Sequence, residues 1–166
     1  MARQLWLLRH ADAEPHGTRP DSERELTPRG ERQARAAGAA LARESSHWDE
    51  ILVSPKARAQ QTAALAGEHW SEDQRALIRI HAPLAEGFDA AQALDALAGV
   101  QADGRLMLVG HEPDLSRIVG ELTGARIDLK KGGLAVVRSD AAGGELVLLL
   151  RPRELALIAG VAVEEV

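Results

Sequence analysis

The stretch "LWLLRHADAE", residues 5–14, runs from four apolar residues directly into Arg9 and His10. An unbroken apolar run of this length is typical of a β-strand that is buried on both faces. The segment therefore predicts a buried strand that ends in a cation and an imidazole, side by side. That pairing marks the end of the strand as a candidate functional site.

Similar apolar runs recur along the chain and predict a sheet. The predicted strands are Leu5 to Leu8, Ile51 to Val53, Ala76 to Ile80, Leu106 to Val109, Leu134 to Val137 and Leu146 to Leu150. The last two are joined by the short polar turn "SDAAGG", residues 139–144, which favours an antiparallel hairpin at one edge of the sheet. We expect the other strands to be buried on both faces.

Segments with helical spacing lie between these runs. The predicted helices are Pro28 to Glu44, Pro55 to Trp70, Asp89 to Ala98, Pro113 to Gly124 and Glu154 to Ala159. The first has the clearest start, because Thr27 is a good N-cap and Pro28 suits the first helical position. Strands that alternate with helices predict an α/β fold, a single domain over residues 1–166 whose mainly parallel central sheet carries helices on both faces.

The composition excludes several classes of function. The chain of 166 residues has no cysteine, which rules out disulfides, a thiolate nucleophile and a cysteine-built zinc site. The net charge of -5 argues against nucleic acid and anionic membranes as partners. No apolar run approaches the roughly 18 residues of a membrane span, and the first apolar run is too short for a secretory signal. We therefore expect a cytoplasmic protein.

Polar side chains follow three of the predicted strands at their carboxyl ends. Arg9 and His10 follow the first strand, "SPKAR" (residues 54–58) the second, and "GHEPD" (residues 110–114) the fourth. In open parallel sheets, ligands bind beyond the carboxyl ends of the strands. We therefore expect these groups to meet in one crevice.

Together, these side chains suit the transfer of a phosphoryl group. A neutral imidazole such as His10 can attack phosphorus and form a covalent phosphohistidine. The planar forks of Arg9 and Arg58 can each bond two phosphoryl oxygens, and His111 could stabilise the charge in the transition state. Arg58 also falls in the first turn of a predicted helix, where backbone N–H groups favour anions.

Each residue taken singly has a simpler explanation. His10 could be a histidine at the edge of the core, bonded to backbone, and Arg9 could extend from a strand end toward solvent. Arg58 could pair with a surface acid, and His111 could cap the turn before Pro113. Their common position at strand ends favours the functional interpretation.

The motifs resemble those of a known family. "LLRHADAE" is similar to the Arg-His-Gly signature of the histidine phosphatase superfamily, and "VSPKARAQQT" and "LMLVGHEPDLSRIV" resemble two further motifs of that superfamily. The resemblance spans residues 4–122 in the same order. Within the superfamily, the chain is most similar to the small phosphohistidine phosphatases of the SixA type. This resemblance rests on its short length, on "RELTPRG" at residues 24–30 and on "VGHEPDL" at residues 109–115. The resemblance implies a phosphoglycerate mutase-like fold and a single histidine phosphatase domain.

The resemblance also implies roles for individual residues. His10 would be the nucleophile, Arg9, Arg58 and His111 would surround the phosphoryl group, and Arg24 would line the pocket. Thr62 would pack behind the site. We expect no metal and no cofactor, because the resemblance assigns His10 and His111 to the phosphoryl group and not to a metal ion.

This sequence departs from the family pattern at two points. Ala11 stands where the family has glycine, which requires a negative φ at this residue. The general acid is also open: Glu86 in "HAPLAEGFDA" is the first choice, and Asp12 and Asp89 are the alternatives.

The resulting hypothesis is a metal-independent phosphatase that forms a covalent phosphohistidine intermediate. The favoured substrate is phosphohistidine on a signalling or phosphotransfer protein, and Lys130 and Lys131 could meet an acidic substrate. One alternative is a small-molecule phosphomonoesterase acting on sugar phosphates or nucleotides. Another is a phosphate-recognising module without turnover. A nucleotide-binding domain is disfavoured because the sequence has no glycine-rich phosphate loop.

Overall fold

Six strands form one mixed sheet in the computed structural model, which describes residues 2–44 and 47–166. They are β1 (Arg3–Arg9), β2 (Glu50–Val53), β3 (Ile78–Ile80), β4 (Arg105–Gly110), β5 (Leu134–Asp140) and β6 (Gly143–Leu150). The order is β3-β2-β4-β1-β5-β6. The first four strands in this order pair in parallel, whereas β5 is antiparallel to both β1 and β6. The predicted mainly parallel sheet and the predicted hairpin are confirmed.

Helices cover both faces of this sheet. They are α1 (Pro28–Arg43), α2 (Ala57–Gly67), α3 (Glu72–Arg75), α4 (Ala90–Ala98), α5 (Asp114–Thr123) and α6 (Pro152–Ala159). Helix α1 begins as predicted, because Thr27 Oγ1 accepts a hydrogen bond from the Gly30 N–H at 3.0 Å. The predicted helix Pro55 to Trp70 is shorter than expected, and α3 was not predicted. Within residues 2–44 and 47–166, no helix is long and apolar enough to cross a membrane.

Alternate residues of β1 belong to two separate hydrophobic layers. Trp6 and Leu8 pack with side chains of α1, α2 and α6. Leu5 and Leu7 pack with side chains of α4 and α5 on the opposite face. Since both faces of the strand are covered, its apolar run needs no alternation with polar residues.

The outer strands do not follow this pattern. We expected the apolar run of the third strand to be buried on both faces, but Ile80 in β3 is 57% exposed. The second hairpin strand, β6, also leaves Val147, Leu148 and Leu149 exposed. Both β3 and β6 lie at the ends of the sheet, where the helices do not cover both faces.

The parallel pairing brings the three strand ends to one edge of the sheet. Strand β4 lies between β1 and β2. At their carboxyl ends the His10 N–H donates to the Gly110 carbonyl at 3.0 Å, and the Ser54 N–H donates to the Val109 carbonyl at 3.0 Å. The segments that contain His10, Ser54 and His111 are thus held side by side by backbone hydrogen bonds.

A close contact between α1 and α2 provides a test of this packing. A Cβ atom at Gly38 would lie 2.1 Å from the backbone oxygen of Ala66. We expect Gly38→Ala to reduce the free energy of unfolding by about 1–3 kcal/mol, because the two helix backbones would have to separate. Urea unfolding followed by circular dichroism would measure the change.

The matched control is a glycine inside another helix. At Gly120 in α5 the nearest atom to an added Cβ is the Ala125 oxygen, at 3.4 Å. Gly120→Ala should leave stability unchanged or raise it by up to about 1 kcal/mol through helix propensity. Equal effects of the two substitutions would contradict the predicted close packing of α1 on α2.

Candidate active site

A cavity of about 200 Å³ lies at the carboxyl edge of the parallel strands. The predicted site residues Arg9, His10, Arg58 and His111 all line it, and Arg24 lines it as well. The ring centroids of His10 and His111 are 5.1 Å apart. The remaining lining residues are Ala13, Glu14, Pro15, His16, Glu112 and Lys131. The structure therefore brings together four side chains from three segments that are far apart in the sequence.

His10 is held as a neutral imidazole with one defined tautomer. Its Nδ1 lies 2.8 Å from the Ala11 carbonyl oxygen, which can only accept, so Nδ1 carries the proton and donates. The lone pair is then on Nε2. Burial lowers the pKa of His10 to about 3, and the positive charges of Arg58 and Arg9 also act in this direction. At neutral pH the ring is an uncharged potential nucleophile.

Ala11 and Thr62 fix the backbone next to this ring. The Ala11 N–H donates to Thr62 Oγ1 at 3.1 Å, and Thr62 Oγ1 donates to the Arg58 carbonyl at 2.7 Å. Thr62 is fully buried and so joins the end of β1 to the first turns of α2. Ala11 has the ordinary φ that was expected, since Asp103 is the only non-glycine residue with positive φ in the described part of the chain.

Ser54 holds His111 in the same tautomer as His10, with the ring proton on Nδ1. Its Nε2 lies 2.6 Å from Ser54 Oγ, which also accepts from the Lys56 N–H at 3.2 Å. Ser54 is fully buried, and among the described residues its hydroxyl proton has His111 Nε2 as its acceptor. Nε2 therefore accepts, and the ring proton is on Nδ1.

The Nδ1–H of His111 has no hydrogen-bond partner within the described residues, although it is buried. Burial lowers the pKa of His111 to about 3, and the charges of Arg58 and Lys56 reinforce this shift. The ring is therefore neutral as well. Since the ring also lines the cavity, its Nδ1–H is a candidate donor to an oxyanion bound there.

The two arginines present further donors. Arg9 Nη1 donates to the Leu129 carbonyl at 2.9 Å, and Arg58 Nη1 donates to the Asp21 carbonyl at 2.7 Å. The Nε atoms of both are buried and, in residues 2–44 and 47–166, have no partner. Burial lowers the pKa of both guanidinium groups from the ordinary arginine value, and neighbouring carboxylates oppose the shift.

Unpartnered buried donors are therefore concentrated at the cavity. The described chain has four such side-chain atoms, and three belong to Arg9, Arg58 and His111. The fourth, Trp48 Nε1, belongs to a residue of the hydrophobic core. Because native proteins rarely leave buried donors unpaired, the three at the cavity indicate a site for a multivalent acceptor such as an oxyanion.

Asp21 is a site residue that the sequence did not reveal. Its Oδ2 accepts from Lys56 Nζ at 2.8 Å and lies 3.4 Å from Arg58 Nη2, while Oδ1 accepts from Arg24 Nη2 at 3.0 Å. The hydrogen bond from Lys56, together with Arg24 and Arg58, holds the pKa of the Asp21 carboxyl well below its ordinary value. Asp21 therefore contacts three cations at this site. It lies in the polar segment "HGTRPDSERE", residues 16–25, where no motif or spacing distinguished it from the other polar residues.

The three candidates for the general acid differ in their surroundings. Glu86 is exposed and lies in a neighbouring cavity that Arg58 and His111 also line. Asp12 accepts from Thr27 Oγ1 at 2.7 Å and pairs with Lys131, and Asp89 caps α4. None of the three lines the cavity of His10.

Two other carboxylates line that cavity, and both are engaged by backbone. Glu14 Oε1 accepts from the Glu25 N–H at 2.7 Å, and Glu112 Oε1 accepts from the Ser116 N–H at 2.9 Å. The immediate surroundings of His10 are thus rich in N–H donors. The two carboxylates that line the same cavity accept hydrogen bonds from backbone N–H groups.

Comparisons with known proteins agree with this geometry. The sequence model of the histidine phosphatase superfamily (branch 1) matches residues 5–89, more than half of the chain. An uncharacterized protein of Picosynechococcus sp. is 32% identical over 169 aligned residues, which cover 92% of this chain and 98% of that protein.

Solved structures show the same architecture. A protein from Nakamurella multipartitia, provisionally assigned as the phosphohistidine phosphatase SixA, is 32% identical with a TM-score of 0.75, over 92% of this chain and 97% of that chain. The protein histidine phosphatase SixA in complex with tungstate is 25% identical with a TM-score of 0.76, over 92% of this chain and 99% of that chain. The fold is thus the expected phosphoglycerate mutase-like one.

The assigned tautomers can be read by nitrogen NMR. In protein labelled with ¹⁵N at histidine, we expect the His10 and His111 Nδ1 atoms to carry the proton and both Nε2 atoms to be unprotonated at pH 7. Ser54→Ala removes the donor to His111 Nε2, so His111 should shift toward the other tautomer while His10 stays unchanged. Stability should fall by about 1 kcal/mol. Protonated Nε2 on His111 in the unmodified protein would contradict the assignment.

The depressed pKa values also predict the pH dependence of stability. Each imidazole is neutral in the folded protein down to about pH 3 but takes up a proton below about pH 6.5 when unfolded. The unfolded state therefore binds more protons, and stability falls as pH drops through this window by about 1.4 kcal/mol per pH unit for each ring.

Removal of one ring isolates its contribution. We expect His10→Asn to lose less stability than the unmodified chain between pH 6.5 and pH 5, with a mean difference in slope of about 1.1 kcal/mol per pH unit. Urea unfolding at several pH values measures both slopes. Identical slopes would mean that His10 titrates normally in the folded protein.

Proposed function

The chain belongs to the histidine phosphatase superfamily (branch 1) and is a phosphatase, and we propose that it hydrolyses phosphohistidine on a protein through a phosphoenzyme formed at His10. The observation that carries the proposal is the cavity in which a neutral His10 lies among the donors of Arg9, Arg58 and His111. The relatives named SixA support the choice of phosphohistidine.

In the first step, the lone pair on His10 Nε2 attacks the phosphorus atom of the substrate. A bond forms between Nε2 and phosphorus, and the bond between phosphorus and the substrate's imidazole nitrogen breaks. The leaving imidazole keeps the electron pair of that bond. It leaves as a neutral ring when its other ring nitrogen already carries a proton. An imidazole nitrogen can be protonated near neutral pH.

In the second step, water attacks the phosphoryl group on His10. The bond between Nε2 and phosphorus breaks, and its electron pair returns to His10 as the lone pair. The oxygen of water becomes the fourth oxygen of inorganic phosphate, and the proton it loses goes to the phosphate or to solvent. The Nδ1–H donated to the Ala11 carbonyl is unchanged throughout, which keeps Nε2 as the reacting atom.

Arg9, Arg58 and His111 stabilise the charge on the equatorial oxygens during both steps. The guanidinium groups are cations with donors in a planar fork, and neutral His111 supplies its Nδ1–H. Asp21 acts as a positioning residue, since it holds Arg58 through its carbonyl and its carboxylate. Arg24 lines the same cavity from the other side of Asp21.

Two features support a phosphohistidine on a protein over a small phosphate ester. A serine or sugar alkoxide is a poor leaving group and needs an acid, yet the carboxylates that line the cavity are engaged by backbone N–H groups. The cavity of about 200 Å³ is also smaller than the 300–1,000 Å³ of typical small-molecule pockets. It suits one protruding phosphorylated side chain.

The phosphoenzyme test uses a ³²P-labelled phosphohistidine peptide and an alkaline quench. We expect a transient acid-labile, alkali-stable label on the unmodified protein and none on His10→Ala, with hydrolysis reduced by at least about 10³-fold. Phosphohistidine, p-nitrophenyl phosphate and phosphoserine are then compared as substrates. Binding without any label would indicate a phosphate-recognising module, and turnover of the two esters alone would indicate a phosphomonoesterase.

Glu86→Gln separates the two leaving-group chemistries in the same assay. If Glu86 supplies a proton, phosphoserine hydrolysis should fall about tenfold or more, because its alkoxide needs an acid. Phosphohistidine hydrolysis should change little. Equal losses on both substrates would assign Glu86 a role in positioning Arg58 or His111, with which it shares a cavity.

A further inference from the structure

A second, larger groove opens beside the catalytic cavity. It has a volume of about 470 Å³, and Arg9 and Lys131 line both spaces, so the two are neighbours. Its other lining residues come from several separate parts of the fold. They are Arg29 and Gln33 on α1, Lys130 in the loop before β5, Arg151, Pro152 and Arg153 at the start of α6, Asp12 after β1, and Val166.

The groove is strongly positive in a protein of net charge -5. Six cationic side chains line it, and Asp12 is the one acidic side chain among its lining residues. Asp12 pairs with Lys131, and two carboxylates from outside the groove, Asp128 and Glu154, pair with Lys130 and Arg151. Among the described residues, Arg9 and Arg153 have no carboxylate partner, and Arg29 Nη2 donates to the Val166 oxygen at 3.2 Å. The chain thus concentrates a positive excess at the mouth of its active site.

The position of this excess identifies what it can hold. A bound phosphoryl group lies in the catalytic cavity, and the groove lies beyond the shared residues Arg9 and Lys131. A protein that inserts a phosphorylated side chain into the cavity brings the residues that flank it close to this groove. Exposed cations attract a partner of opposite charge and orient it during approach.

We propose that this groove is the docking surface for acidic side chains that flank the phosphohistidine of a protein substrate. The inference rests on the proposed function for the phosphoryl group itself. Discrimination between phosphoproteins then depends on four cations that lie outside the catalytic cavity: Arg29, Lys130, Arg151 and Arg153. A long polyanion such as nucleic acid is disfavoured, because the rest of the surface is net acidic.

The test reverses two exposed cations of the groove, Arg29 and Arg153. Neither Arg29 nor Arg153 lines the catalytic cavity, and both side chains are exposed, so Arg29→Glu with Arg153→Glu should preserve the fold. The control for net charge is Arg79→Glu with Arg126→Glu, at exposed sites that line neither space. Because Arg79 pairs with Glu50, circular dichroism must first show that this variant is folded. Substrates are phosphohistidine peptides with glutamate-rich flanks or with glutamine-rich flanks, and p-nitrophenyl phosphate.

We expect the groove variant to raise KM for the acidic phosphopeptide by about tenfold or more at low salt, and high salt to shrink this difference. Its KM for the neutral phosphopeptide and its turnover of p-nitrophenyl phosphate should stay within about twofold of the unmodified protein. The control variant should resemble the unmodified protein on all three substrates. Equal losses from the two variants, or equal losses on all substrates, would overturn the proposal.

Binding of the unphosphorylated glutamate-rich peptide separates this inference from the proposed function. Fluorescence anisotropy should detect binding to the unmodified protein and the control variant, with at least about tenfold weaker binding to the groove variant. Equal binding to all three proteins overturns the docking surface even if phosphohistidine is hydrolysed. Absence of phosphohistidine hydrolysis together with selective peptide binding would reject the proposed substrate and retain the acidic docking surface. Preferential binding of a DNA oligonucleotide would also overturn the proposal.

Discussion

The active site depends on two imidazoles that remain uncharged while packed against two guanidinium groups. Burial and the neighbouring positive charges act in the same direction on His10 and His111, and both pKa values fall to about 3. A protonated His10 would have no lone pair for phosphorus, and a second charge nearby would be repelled by Arg9 and Arg58. Under the proposed function, the positive charges that attract an anionic substrate therefore also keep the proposed nucleophile, His10, uncharged.

The segment "SPKARAQQT", residues 54–62, organises this arrangement from one short length of chain. Ser54 sets the tautomer of His111, and Lys56 holds the carboxylate of Asp21. Arg58 lines the cavity from the first turn of α2, and Thr62, one turn later, accepts from the Ala11 N–H next to His10. The spacing of the motif follows from this geometry, because Arg58 and Thr62 are four residues apart on one helix and so lie on one face.

The sequence was most informative where one physical rule acts locally. Unbroken apolar runs predicted the central strands, the pair Thr27 and Pro28 predicted the start of α1, and polar residues at strand ends predicted the cavity. The runs in β3 and β6 misled, because apolar character alone does not say whether a helix covers a strand. Asp21 and the tautomer of His111 could not be predicted, since both depend on side-chain contacts between segments distant in sequence. The general acid stays open for the same reason.

The unpartnered donors explain why this edge of the sheet is built for a ligand. Buried N–H groups without acceptors cost free energy, commonly about 1–3 kcal/mol each. Arg9 Nε, Arg58 Nε and His111 Nδ1 all carry this cost around one small space, whereas neighbouring donors such as Arg9 Nη1 have backbone acceptors. A fold optimised for stability alone would pair them or replace them with apolar groups. A tetrahedral oxyanion offers several acceptor oxygens at once, so under the proposed function a phosphoryl group would supply the acceptors that these donors lack.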